Sequence, residues 1–177
     1  MSPSTATRPL AVYLNDHLTG AVAGAALARR MADTHRRSGL ADGMRELARD
    51  IAQDRDELVR IMTRLGVPVR RYRTWLGLAA ERAGRLKPNG TLLRRAPLSD
   101  LIELETLRTG VEGKAALWRA LRTLTEREPR LETQELERLS ERARNQARTL
   151  NSWHRAVSSR VLPDKAADAE GDTPPPR

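Results

Sequence analysis

The stretch LARDIAQDRDELVRIM (residues 47–62) has the spacing of an amphipathic helix but carries a carboxylate in its apolar line. Apolar residues recur every three or four positions, as on the buried face of a helix, and the line continues to Leu65. The position between Ile51 and Leu58 on this line is occupied by Asp54. Because a buried charge is costly unless it is paired, Asp54 raises the question of whether the chain is an enzyme.

The composition favours a single all-α domain. With 177 residues, of which 39% are hydrophobic, the chain is long enough for one core and short for two. Aromatic residues make up only 3% and Phe is absent, so the core must be built from Leu, Ala, Val and Met, as in helix bundles. The absence of cysteine excludes disulfides, thiol catalysis and thiolate metal sites.

The sequence predicts a soluble cytoplasmic protein that does not enter a membrane. The N-terminus, MSPSTATRPL, lacks the positive start and the apolar run of a secretory signal. The most apolar stretch, residues 18–28, is shorter than a bilayer span and is flanked by charged or polar residues: Asp16, His17, Arg29 and Arg30.

The net charge of +9 has two interpretations. It indicates an anionic partner such as nucleic acid, or it reflects the codon usage of a GC-rich genome, since only Lys87, Lys114 and Lys165 among the 32 basic residues are lysine. Many of the arginines lie three or four positions from Glu or Asp, where solvation and weak local pairing are their simplest role.

Prolines and glycines mark the ends of four predicted helices, over about residues 9–37, 42–65, 97–125 and 133–162. Residues 1–8 and the Pro-rich tail at residues 163–177 are expected to be disordered. The sequence therefore predicts one helical domain over residues 9–162.

The lengths of the connections predict the topology. The first and last connections are short, so each should join two helices into an antiparallel hairpin. Residues 66–97 are longer and contain a short amphipathic segment: Tyr72, Trp75, Leu76, Ala79, Ala83 and Leu86. Such a connection can run the length of the bundle, which makes the second and third helices parallel, as in ferritin-like folds.

Four stretches together resemble bacterial members of the ferritin-like superfamily: YLNDHLTGAVAGAALARR (13–30), LARDIAQDRDEL (47–58), GVEGKAALWRAL (110–121) and RARNQARTLNSWHR (142–155). The resemblance covers about residues 9–162. It implies a four-helix bundle with two antiparallel hairpins joined by a long crossover that contains a short helix.

The di-iron ligands of that superfamily are missing from this sequence. Members with a di-iron centre use a glutamate from each of two helices and a Glu-x-x-His pair from each of the other two. The residues three positions before the three histidines are Leu14, Ala32 and Asn151, so no such pair exists. No metal site and no cofactor are therefore expected.

Three polar residues interrupt apolar lines near the middle of their helices: Asp54, Lys114 and Gln146. One interpretation is a central polar cluster (Asp54, Lys114 and Gln146) in which an ammonium replaces the positive charge of the lost metal. The alternative places Asp54 and Lys114 at the edge of the bundle, where they reach water and where Arg55 and Arg60 are exposed partners for Asp54. Even if buried, such a cluster is more often a specificity device than a catalytic site.

Several other residues are assigned to packing. Leu98 begins the apolar line of the third helix, and Gly20-x-x-x-Gly24 is expected to let another helix approach closely. His17 is expected to be a hydrogen-bonded structural residue. The tryptophans lie on predicted apolar faces and are expected in the core: Trp75, Trp118 and Trp153.

The function expected from the sequence is that of a non-catalytic, metal-free ferritin-like bundle with a structural or protein-interaction role, in contact with a protein partner or as a homodimer. The alternative is a basic bundle that binds nucleic acid without sequence specificity, through phosphate contacts. Its candidate residues flank Tyr72 or lie in the loop that follows: Arg70, Arg71, Arg73, Arg94 and Arg95.

Overall fold

A computed structural model describes residues 8–35, 41–69 and 97–162 of the chain. In these ranges the protein is all-α, with four helices and no strand: α1 (Arg8–Thr34), α2 (Ala41–Arg64), α3 (Pro97–Arg122) and α4 (Thr133–Val161). The predicted amphipathic segment of the crossover and the predicted terminal segments lie outside the described residues, apart from Arg8.

The end of α2 shows how the sequence sets a helix boundary. Gly66 has a φ of 68°, in the left-handed region that favours glycine. The Val67 N–H donates to the carbonyl of Met62 at 2.9 Å, which closes the last turn in the manner of a Schellman motif. Leu65 and Val67 flank the glycine, and their buried side chains pack into the core at this end of the helix.

Contacts between the helices define their arrangement. α1 packs on α2 and on α3, and α3 packs on α4. Arg30 near the end of α1 contacts Glu103 near the start of α3 at 2.9 Å, so these two helices are antiparallel. Arg64 at the end of α2 contacts Glu135 at the start of α4, so α2 and α4 are antiparallel as well.

One core joins the four helices. It contains buried Leu, Ile, Val, Met and Ala side chains and the fully buried Trp118. Trp153 is only partly buried and packs against this core, so its predicted place in the interior is only partly correct. Its ring lies beside Gly43, where an added Cβ would be 3.0 Å from the ring atom Cζ2. Trp75 lies outside the described residues.

One expectation about packing was wrong, and a second finds no support among the described residues. Leu98 is 48% exposed and Ile102, one turn later, is 40% exposed, because the buried face of α3 is the one that carries Leu101 and Leu104. A Cβ at Gly20 or Gly24 would meet no described atom within 4 Å, so no described helix approaches them closely. Small residues permit a close approach but do not require one.

Candidate functional site: a buried polar cluster

Asp54 lies near the middle of α2 and is 1% exposed. It shares the inner face of the helix with Ile51 and Leu58, which are buried too. The alternative position of Asp54 at the edge of the bundle is therefore not found. The two arginines proposed as its exposed partners bind other carboxylates, Arg55 that of Asp56 and Arg60 that of Glu57.

The structure brings together the three residues of the central polar cluster, one each from α2, α3 and α4. The Lys114 ammonium donates to Asp54 Oδ2 and, at 2.5 Å, to Gln146 Oε1. The Gln146 amide donates from Nε2 to Asp54 Oδ2 at 2.9 Å. Each member therefore contacts the other two, and Asp54 and Gln146 are both buried.

A fourth residue, which the sequence reasoning missed, contacts the cluster. Arg142 donates from Nε to Asp54 Oδ1 at 2.6 Å, so both oxygens of the carboxylate accept hydrogen bonds from a cation. Arg142 precedes Gln146 by four positions on α4, and residues at this spacing share a helix face. That spacing was the available signal, but the arginine borders the apolar line instead of interrupting it.

Burial and neighbouring opposite charges shift the pKa values of the ionisable groups in opposite directions. Desolvation lowers the pKa of the Lys114 ammonium below its ordinary value, while the Asp54 carboxylate opposes this by favouring the charged form. Asp50, one turn before Asp54, has a pKa raised by desolvation and opposed by the positive charge of Arg142. Two carboxylates thus face two cations, and the site is close to neutral.

The chemistry available to this site is limited by how fully its groups are engaged. A general base must reach the proton that it removes, and a metal-binding carboxylate needs lone pairs free for the metal. Both carboxylate oxygens of Asp54 are already bound, one by Lys114 and one by Arg142, and its side chain has no exposed surface. The arrangement is suited to holding three helices in one register.

The histidines lie apart from the cluster or contact other groups. His17 is partly buried and meets the ring of Tyr13 edge-on, with centroids 4.5 Å apart. Burial lowers the pKa of His17 below its ordinary value, and nearby Asp16 opposes the shift. His154 is 2.9 Å from Glu105. Among the described residues, no group of three or more His, Asp or Glu side chains could hold a metal ion.

The candidate basic patch falls outside the described residues: Arg70, Arg71, Arg73, Arg94 and Arg95. None of the helices in the described ranges is both long enough and apolar enough to span a bilayer. Comparisons of the chain with known protein families, with curated proteins and with solved structures give no match.

Proposed function

We propose that the protein is a non-catalytic, metal-free helical bundle of the ferritin-like type with a structural or protein-interaction role. The observation that carries this proposal is the contact of Asp54 with Lys114 and Gln146 in the interior. The ammonium supplies at this point the positive charge that a metal ion supplies in a di-iron bundle. The cluster acts by fixing the relative positions of α2, α3 and α4.

The directions of the helices support the ferritin-like arrangement. α3 is joined to α4 by a short connection that ends at Glu132, and Arg64 at the end of α2 lies 3.5 Å from Glu132. The last turns of α2 and α3 therefore lie at the same end of the bundle. A chain that leaves α2 there and starts α3 at the opposite end needs a connection that runs the bundle's length, as residues 70–96 are proposed to do.

An interaction role is supported by the exposed apolar side chains of α3. Leu98 and Ile102 are one helical turn apart and share one face. Neighbouring exposed apolar side chains are more typical of contact surfaces than single, scattered ones are. We propose that this face meets a protein partner or a second copy of the chain.

The test of the proposed function is the metal content of the protein. The chain purified without chelators is expected to carry no stoichiometric iron or manganese, and to oxidise added ferrous iron no faster than buffer does. The physical reason is that the central carboxylate is already bound by two cations. Elemental analysis and an oxidation assay measure both quantities, and about two metal ions per chain, bound between the helices, would overturn the proposal.

A second candidate function, nucleic-acid binding, is favoured by the distribution of charge. The described ranges hold twenty basic and eighteen acidic residues, a net charge of +2. Residues 70–96 hold eight basic residues and only Glu81 as an acidic one. A basic excess concentrated in one segment is the pattern expected for contacts to a phosphate backbone, whereas a bias spread by codon usage would not be segregated in this way.

A further inference from the structure

A groove of about 470 Å³ lies between α3 and α4, beside the connection between these helices. Arginines from both helices line it, together with two glutamates of α4: Arg119, Arg122, Arg138, Arg144, Glu137 and Glu141. Its charged lining sets it apart from the core, which is built from apolar side chains.

The two glutamates do not neutralise the groove, because each is already bound to an arginine. Glu137 lies 3.5 Å from Arg122, and Glu141 accepts from Arg144 Nε at 2.9 Å. The bond from Arg144 holds the pKa of Glu141 below its ordinary value, so this carboxylate is ionised at neutral pH. The remaining cations of the groove are Arg119 and Arg138.

Arg119 and Arg138 are exposed and make no ion pair with any described residue. They approach the groove from different helices, α3 and α4. A guanidinium is planar and offers several donors in a fixed geometry, so it binds two oxygens of a phosphate at once. Two such groups on opposite walls provide contacts to a phosphate backbone.

The lining of the groove favours a polyanion over a protein partner. Protein interfaces depend on a few buried aromatic or aliphatic anchors. The exposed large hydrophobic side chains among the described residues lie elsewhere: Val12, Val69, Leu98, Ile102 and Leu162. A partner seated in this groove would meet charge and little apolar surface, as nucleic-acid phosphates do.

The groove also lies at the end of the bundle where α2 ends, shortly before the basic segment of residues 70–96. Arg64, in the last turn of α2, contacts Glu135, and the next residues of α4 include Glu137 and Arg138 of the groove wall. The described chain after α2 ends at Val69, directly before Arg70. The basic segment therefore begins at the same end of the molecule as the groove.

We propose that the groove between α3 and α4 is a phosphate-backbone contact for nucleic acid, with Arg119 and Arg138 as the residues that bind it. This inference rests on the second candidate function and assigns to it a contact surface within the bundle, separate from Arg70, Arg71 and Arg73. Binding by these two arginines is independent of base sequence, because phosphates carry no sequence information.

The test compares variants of the full-length protein for binding to a fluorescein-labelled DNA duplex of about 20 base pairs, by fluorescence anisotropy at about 50 mM salt. The Arg119→Gln/Arg138→Gln variant is expected to bind about tenfold more weakly, with a salt slope reduced by about two, because two phosphate contacts are lost. The matched control is Arg29→Gln/Arg49→Gln, which removes the same charge from exposed arginines that have no ion pair with described residues.

A third variant separates the outcomes: Arg70→Gln/Arg71→Gln/Arg73→Gln. If the groove variant binds no more weakly than the control does, while this third variant binds weakly, the groove inference is wrong and the second candidate function stands. If the wild-type protein does not bind the duplex at low salt, both are wrong. A groove variant clearly weaker than the control supports the inference, and circular dichroism verifies that each variant is folded.

Discussion

Asp54 illustrates how much of a buried site a sequence can predict. The interruption of three apolar lines was enough to select Asp54, Lys114 and Gln146, which the structure places in mutual contact. The pattern could not decide between interior and edge, because one residue of helix rotation separates the two. It also could not select Arg142, since the chain contains many arginines beside apolar lines and only the packing turns this one inward.

The residues of this site are predicted to be unequal in their effect on stability. Asp54→Asn leaves Lys114 and Arg142 without their carboxylate, so it should cost about 3 to 5 kcal/mol of the free energy of unfolding. Lys114→Met should cost less, because Arg142 and Gln146 still satisfy the carboxylate. Urea denaturation of both single variants and of the double variant measures the coupling between them.

The matched control for this cycle is Asp56→Asn, two positions along α2. Asp56 is exposed and pairs with its neighbour Arg55, so its loss should cost under about 1 kcal/mol. Small and additive effects of Asp54→Asn and Lys114→Met would contradict the buried pair and the proposal that the cluster fixes the helix register.

At the scale of the helices, the ends were predictable and the outer faces were not. Proline, glycine and the apolar period placed all four helices within about one turn of their observed ends, since these residues act through local backbone geometry. The role of Gly20 and Gly24 was not predictable in the same way. Which helix faces a glycine depends on the packing of the whole bundle, and a sequence pattern does not contain that information.

Gly43 in α2 should respond to substitution differently from Gly110 in α3. An Ala at Gly110 meets no described atom within 4 Å, so it should stabilise the protein by about 0.5 to 1 kcal/mol through its better helix propensity. An Ala at Gly43 would press on the ring of Trp153, so that gain should be cancelled or reversed. Thermal unfolding of Gly43→Ala and Gly110→Ala gives the comparison.

The same Gly43→Ala substitution, made in a Trp153→Leu protein, tests whether the Trp153 ring causes this difference. In a Trp153→Leu protein the contact of the ring with position 43 is removed, so Gly43→Ala should become favourable there. If Gly43→Ala destabilises the protein equally in both backgrounds, the contact with the Trp153 ring is not the reason for the glycine.

For the whole molecule, the distribution of charge carries more information than its total. The net charge of +9 alone could not separate an anionic partner from codon bias. Because the described ranges carry a net charge of only +2, most of the excess lies in residues 70–96. The sequence could not predict the partner, since the proposed phosphate contacts would depend on charge alone.

The last prediction concerns the proposed binding of nucleic acid by the whole protein. Since the proposed contacts are to phosphates alone, the protein should bind two duplexes of unrelated sequence with the same affinity within about twofold. The logarithm of the affinity should fall linearly with the logarithm of the salt concentration, because binding releases condensed counterions. Anisotropy titrations at several salt concentrations measure both properties. Charge reversal at Arg70, Arg71 and Arg73 should weaken binding to both duplexes alike, and a preference for one duplex that persists at high salt would show base contacts that this chain is not expected to make.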